Sequence, residues 1–290
     1  MKVLVTGAGG FAGGYAARRL AALGVDVVAL TRSSPVAPPD DAEAAARFSV
    51  VHADLSAGDD LPAVDAVVHA AATSIWDGIT VDQMLGDNVA ATQALVRHAL
   101  ACEAKAFVFF SSFSAFGDVA GDVVSDATPS VNPDAYGLTK LLGERFLEDV
   151  KDQLPSLSIH LPAVVGPGSK RNWLSECVRK LKAGLPLSYV NPDVRFNNAC
   201  HIEDLTQMIF GWLSGEHTGA HMTAVGAGGD MVVRDVVARL AQGLDTTSEI
   251  SVGDRELRTF LIDSSRAQDE YGYMPMSVSD MLDRFIAENR

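Results

Sequence analysis

The sequence predicts an α/β fold, a doubly wound parallel sheet with a smaller C-terminal subdomain. Three observations predict it. Short β-branched runs recur from the second residue onward, apolar on both sides of the pleat, as strands buried on two faces are. Longer stretches of helical periodicity separate them. A cluster of glycines lies between the first run and the first helix.

The elements follow in order. "KVLVT" (2–6) is the first strand and "FAGGYAARRLAAL" (11–23) the first helix. "DVVAL" (26–30), "FSVVHA" (48–53), "DAVVHA" (65–70) and "AFVFFS" (106–111) continue the sheet, with "SSPVAPPDD" (33–41) as a loop. "VDQMLGDNVAATQALVRHAL" (81–100) and "DAYGLTKLLGERFLEDV" (134–150) supply further helices. After Leu161 the alternation loosens: "PAVVGPGSKRN" is rich in Pro and Gly, and "KAGLPLSYVNPDVRFNN" is mostly turn and extended chain. The final "SVSDMLDRFIAENR" opens on a serine cap and has helical spacing.

The chain has 290 residues, enough for one large or two smaller cores. Its net charge of -14 opposes a nucleic-acid partner, whose phosphates would be repelled over most of the surface. Neither an apolar run of about 20 residues nor a basic-then-apolar leader is present, so a cytoplasmic protein without a membrane partner is expected. Three cysteines at scattered spacings (102, 177 and 200) indicate no disulfide framework and no metal site. Lys170, Arg171, Arg179, Lys180 and Lys182 form one basic cluster, either an anion contact or a solvated helix face.

A strand ending at Thr6, then glycines, then a helix, is the context in which a glycine motif holds a dinucleotide. Gly7 permits the turn, Gly10 admits a pyrophosphate, and Gly13 lets the helix pack on the strand; the helix N-terminus offers N–H groups and a positive dipole end. At the end of the second strand, "VVALTRSS" has no acid to bind a ribose diol, and Arg32 could grip a 2′-phosphate, so NADP is preferred over NAD. Tyr136 and Lys140 lie four apart on one helix face, where an ammonium favours the phenolate and makes Tyr136 a proton carrier. Ser111 and Ser112 end a buried strand on the same edge of the sheet, and Ser112 can donate to a carbonyl oxygen.

These motifs resemble the extended short-chain dehydrogenases/reductases, the sugar-nucleotide epimerase/dehydratase group. The resemblance is carried by "TGAGGFAG" (6–13), "HADL" (52–55), "VVHAAA" (67–72), "DNVAAT" (87–92), the serine strand, Tyr136-x-x-x-Lys140 and "HIEDL" (201–205). It implies a Rossmann-fold dinucleotide-binding domain over residues 1–161, with 196–224 returning to it. A smaller substrate-binding subdomain would comprise 162–195 and 225–290. Gly7, Gly10, Phe11, Ala12 and Gly13 would surround the pyrophosphate, Asp54 and Leu55 the adenine, and Ala70, Ala71 and Ala72 would line the cofactor. Asn88, Ser111, Pro162 and Val164 would complete that cleft, with Lys140 on the nicotinamide ribose. Ser112 and Tyr136 would be catalytic together with Lys140. Thr73, Ser112, Tyr136, Ala163, Arg171, Arg195 and Asn197 would face the substrate, a nucleotide-diphosphate sugar. A homodimer through the helices at 80–102 and 133–153 is also implied.

Departures from the family pattern narrow the reaction. Phe113 and Ser114 stand where dehydratases of the family carry an Asp-Glu pair, so dehydration is not expected. His160 and Ala163 stand where many epimerases carry Arg and Asn. The expected activity is NAD(P)-dependent 4-ketoreduction or 4-epimerisation of a nucleotide sugar. The alternatives are an NADPH-dependent reductase of a non-sugar carbonyl, and a cofactor-binding regulator without turnover.

Overall fold

The structure, a computed structural model, describes all residues except 59 and 75–77. In chain order the elements are β1 (Lys2–Thr6), α1 (Phe11–Ala22), β2 (Asp26–Thr31), α2 (Ala42–Ala46), β3 (Phe48–His52), β4 (Ala66–His69), α3 (Val81–Ala101), β5 (Ala106–Ser112), β6 (Val123–Val124), α4 (Ala135–Asp149) and β7 (Ser156–Leu161). There follow β8 (Ala163–Val165), α5 (Trp173–Lys182), β9 (Leu187–Tyr189), β10 (Arg195–Phe196), β11 (Ala199–His201), α6 (Ile202–Ser214) and β12 (Ala220–Ala224). The chain closes with β13 (Met231–Val232), α7 (Val233–Gly243), β14 (Ile250–Val252), β15 (Leu261–Ile262), α8 (Ser265–Tyr271) and α9 (Val278–Ala287).

Seven strands form one parallel sheet in the order β12-β7-β5-β4-β1-β2-β3. From β1 the chain winds outward to β3, then returns to the other side of β1 with β4. The gap between β1 and β4 is therefore the topological switch point, where ligands of such sheets bind beyond the carboxyl ends of the strands. Val67, Val68, Phe107, Val108 and Phe109 are sealed on both faces, which accounts for the apolar runs. Helix α1 lays Gly13, Gly14, Ala16 and Ala17 on the sheet, small residues that allow close approach. Helix α3 begins with a capping box of Thr80 and Gln83, and Asp134 caps α4.

A second core joins α5, α7 and α9 through Leu174, Val178, Val236, Leu240, Phe285 and their neighbours. Between the cores, β8 and β11 pair in parallel and lead into α6, which packs on α1. One segment departs from the expected division. Residues 261–273 lie within the stretch assigned from sequence to the smaller subdomain, yet they pack on the sheet domain. β15 pairs with β6, and Ala267, Tyr271 and Tyr273 join the core beneath α1 and α6. The physical reason is local: Tyr273 donates its hydroxyl to Gly226 O at 3.0 Å, and burying two tyrosine rings there stabilises by a few kcal/mol, in the range of about 1.5–3 per large side chain.

Candidate active site

The glycine turn closes on itself. Gly7 adopts φ +69°, and Gly10 N–H donates to Gly7 O at 2.9 Å. A Cβ on Gly7 would stand 2.8 Å from Ala71 N, and one on Gly13 would stand 2.5 Å from Gly7 O. Gly10 is the N-cap of α1 with no side-chain acceptor, so the N–H groups of the first turn, at Phe11 and Ala12, are left to a ligand oxygen. A cradle without side chains beside an uncapped helix start fits a pyrophosphate. Gly13→Ala is expected to lower nucleotide affinity by about tenfold or more, because Gly7 must move away from the crevice. Isothermal titration with NADH and NADPH checks this; unchanged affinity would contradict the cradle.

At the end of β2, Arg32 is half-exposed and its Nη1 lies 3.3 Å from Asp87 Oδ2 on α3. The Asp54 carboxylate accepts from Ser56 N–H at 2.9 Å and Ser56 O–H at 2.6 Å. These bonds hold it below the usual carboxylate range, and the Arg32 charge acts in the same direction. Leu55 is buried beside it. Arg32 thus lies between two carboxylates.

Tyr136 and Lys140 sit in the first turns of α4, and the helix is pressed onto the serine strand. A Cβ on Gly137 would lie 2.1 Å from Ser114 O, and one on Gly143 would lie 2.5 Å from the Phe109 ring. Only glycine permits this approach. Lys140 is buried; its Nζ donates to Phe110 O at 2.8 Å and lies 5.4 Å from the centre of the Tyr136 ring. Burial pulls its pKa down to about 8, opposed by the Glu144 charge one turn later. Ser112 Oγ accepts from Ser114 N–H at 3.1 Å, capping the short turn at 113–115. Accepting that bond leaves its hydroxyl hydrogen to be donated. Ser111 points the other way, donating to Glu144 Oε1.

A buried chain of hydrogen bonds connects this helix to the glycine turn. Asn88 Nδ2 donates to Thr73 O at 2.9 Å and to Thr139 Oγ1 at 3.2 Å, and its Oδ1 accepts from Thr73 N–H at 2.8 Å. Thr139 in turn donates to Tyr136 O at 2.7 Å. One turn along α3, the Thr92 hydroxyl donates to Asn88 O at 2.8 Å, so it can only accept from His69 Nε2–H, 2.9 Å away. His69 Nδ1 is then left as the acceptor for Thr6 O–H at 2.8 Å, and Thr6 Oγ1 accepts from Ala71 N–H at 3.1 Å. The count closes only with a neutral His69. Burial, reinforced by the Lys140 charge, pulls its pKa down to about 3. Partners at these separations appear only once the sheet register is known, so this contact of Thr6, His69 and Thr92 has no local sequence signal.

The expected substrate contacts fare differently. Pro162, Ala163 and Val164 follow β7 at the carboxyl edge and are half-buried. Arg171 is exposed with φ +62°, and Arg195 Nε lies 2.7 Å from Asp230 Oδ1 on the surface. Asn197 lies deeper than the other expected contacts. It is buried, with Nδ2 donating to Ile262 O and Oδ1 accepting from Ile262 N–H, each at 2.8 Å. Both ends of its amide clamp β15. The basic cluster resolves into surface contacts: Arg179 and Lys180 pair with Glu176, and Lys182 donates to Asn289 O. Among the described residues no group of three or more His, Cys, Asp or Glu is arranged to hold a metal ion.

Known proteins share this fold. The structure of MoeE5 with UDP-glucose and NAD superposes with a TM-score of 0.84 at 25% identity, covering 100% of this chain and 99% of that one. UDP-glucuronic acid 4-epimerase from Bacillus cereus has a TM-score of 0.84 at 22% identity, covering 100% of this chain and 98% of that one. The dTDP-glucose 4,6-dehydratase DesIV from Streptomyces venezuelae has 0.80 at 22%, covering 99% and 96%; at these identities both share the fold. A curated relative, the non-ribosomal peptide synthetase CmlP of Streptomyces venezuelae, is 30% identical over 176 residues, 57% of this chain. The match covers 18% of CmlP, so this chain spans less than a fifth of that protein. The sequence profile of the NAD dependent epimerase/dehydratase family matches residues 3–225. The chain with this glycine turn, serine strand and Tyr-Lys helix belongs to the NAD dependent epimerase/dehydratase family.

Proposed function

We propose that the protein is an NAD(P)-dependent enzyme that oxidises or reduces a nucleotide-diphosphate sugar at C4, as a 4-epimerase or 4-ketoreductase. The observation that carries this is the Tyr136–Lys140 pair at the carboxyl edge of the sheet, tied through Asn88, Thr92, His69 and Thr6 to the glycine cradle. MoeE5, whose solved complexes hold UDP-glucose or UDP-glucuronic acid with NAD, supports the substrate class. The cofactor supplies or accepts the hydride. Ser112 donates to the reacting oxygen, Tyr136 moves its proton, and Lys140 holds the nicotinamide ribose and favours the phenolate. Dehydration is not proposed, since Phe113 and Ser114 give no acid and base beside Ser112, although DesIV shares the fold.

A second reading, reduction of a non-sugar carbonyl, is favoured by Asn197, whose amide is held at both ends by Ile262, and by the match to a peptide synthetase. Incubation with NAD(P)H, UDP- and dTDP-sugars and simple ketones, followed by mass spectrometry, separates the two; conversion of ketones alone would overturn the first.

The preference for NADP rests on Arg32, which must leave Asp87 to meet a 2′-phosphate, while the NAD in MoeE5 weighs on the other side. Arg32→Ala is expected to weaken NADPH binding by about tenfold and NADH binding by less than threefold. Equal losses in fluorescence titrations would refute the selection. Exposed Leu138 and Leu142 on α4 support a homodimer through α3 and α4, and three free thiols suit a reducing cytoplasm.

A further inference from the structure

Behind the serine strand lies a polar cluster that the proposed chemistry does not use. Ser111 of β5 and His160 of β7 are register partners in the sheet, and both reach Glu144 on α4. Ser111 O–H donates to Glu144 Oε1, and His160 Nε2 lies 3.0 Å from the same oxygen. The His160 side chain is 2% exposed and that of Glu144 9%. His160 Nδ1 is buried without a hydrogen-bond partner, which places the ring's hydrogen on Nε2, since an orphaned buried donor costs about 1–3 kcal/mol. Phe116, from the loop after Ser112, packs on the His160 ring with centroids 4.6 Å apart. Two donors converging on one oxygen is the pattern of a carboxylate anion.

That anion stands one helical turn from Lys140, the buried cation. We propose that Glu144 is a positioning residue for the Tyr136–Lys140 pair: anchored by Ser111 and His160, it holds α4 on the serine strand and sets its carboxylate one helical turn from the Lys140 side chain. The inference rests on the reading of Tyr136 and Lys140 as the proton-transfer pair, though its first test does not require turnover. The charged and titratable groups around Glu144 are Lys140, Arg145 and Glu148 on α4, His160 on β7, and His221 on β12 across an open cavity of about 320 Å³. At Lys140, the Glu144 charge opposes the effect of burial, while nearby His69 is neutral. The cavity gives the back of Glu144 an outlet to solvent, which lessens the cost of burying a carboxylate.

The test is ¹³Cε NMR titration of lysine-labelled full-length protein, with the Lys140 signal identified by its absence in Lys140→Met. In the wild type Lys140 should titrate near pH 8, and in Glu144→Gln about one unit lower. A folded Glu144→Gln protein with an unmoved Lys140 midpoint would overturn the proposal. Should Glu144→Gln fail to fold, the double variant Lys140→Met/Glu144→Gln decides. Recovery of a cooperative thermal transition identifies the stranded ammonium as the fault, while a double variant that stays unfolded assigns Glu144 a packing role and overturns the proposal. Failure of the Tyr136 assignment would show instead in turnover of Tyr136→Phe, with this titration unaffected.

Discussion

Tyr136→Phe is expected to cut turnover by about a thousandfold while leaving NAD(P)H affinity within about twofold, the loss usual for removing a positioned proton carrier. The substitution deletes one oxygen from a half-buried ring whose backbone is held independently. Its carbonyl accepts from Thr139, and the helix cap at Asp134 accepts from Gly137 N–H at 2.7 Å. Neither contact involves the phenol, so the helix should keep its place. Single-turnover hydride transfer with a nucleotide sugar, alongside cofactor titration, separates the two effects. A near-normal rate would remove Tyr136 from the mechanism, and parallel loss of binding would make it a structural residue.

Lys140→Met should abolish turnover to a similar extent and yet make the protein more stable. Lys140 titrates near 8 in the fold, below its ordinary value of 10.5, with the attraction of Glu144 already included. Below pH 8 both folded and unfolded chains carry the proton, and folding bears the full cost of burying it, about 3 kcal/mol at about 1.4 kcal/mol per unit. Between pH 8 and 10.5 the folded state releases its proton before the unfolded chain does, so wild-type stability rises with pH across that window. Met removes the cost but also the bond to Phe110 O, worth about 1 kcal/mol, which leaves a net gain of about 2 kcal/mol at pH 7. The gain should shrink above pH 8, vanish near pH 10 and reverse above it, where the lost bond to Phe110 O outweighs the remaining cost. Urea unfolding at pH 7 and 10 measures it; a variant less stable than wild type at pH 7 would show that Lys140 is not strained by burial.

Much of this site was legible before any coordinates, because its signals are local. The glycine turn, the hydroxyl-ended strand and the four-residue Tyr–Lys spacing each lie within a few consecutive residues, where strand and helix periodicities determine which side chains share a face. The parallel sheet followed from the apolar runs for the same reason. What escaped depends on partners far apart in the chain. Thr6 meets His69 across 63 residues, a pairing that cannot be read without the register of the strands. Asn197 shows the same limit in reverse: next to a family motif it read as a substrate contact, but β15 arrives 65 residues later and takes both ends of its amide. Glu144 lies on the same face of α4 as Lys140, yet only the pairing of Ser111 with His160 shows why a carboxylate belongs there.

The outermost strand on one flank of the sheet, β12, is made of residues 220–224, reached only after the chain has passed through α5 and into the second core. During synthesis the first three-quarters of the polypeptide must therefore wait with β7 as a bare border, its N–H and C=O rows open to any passing extended chain. A fragment cut after Leu161 would keep that open border permanently and recruit copies of itself. The last quarter of the chain thus carries the strand that covers this border and completes the sheet.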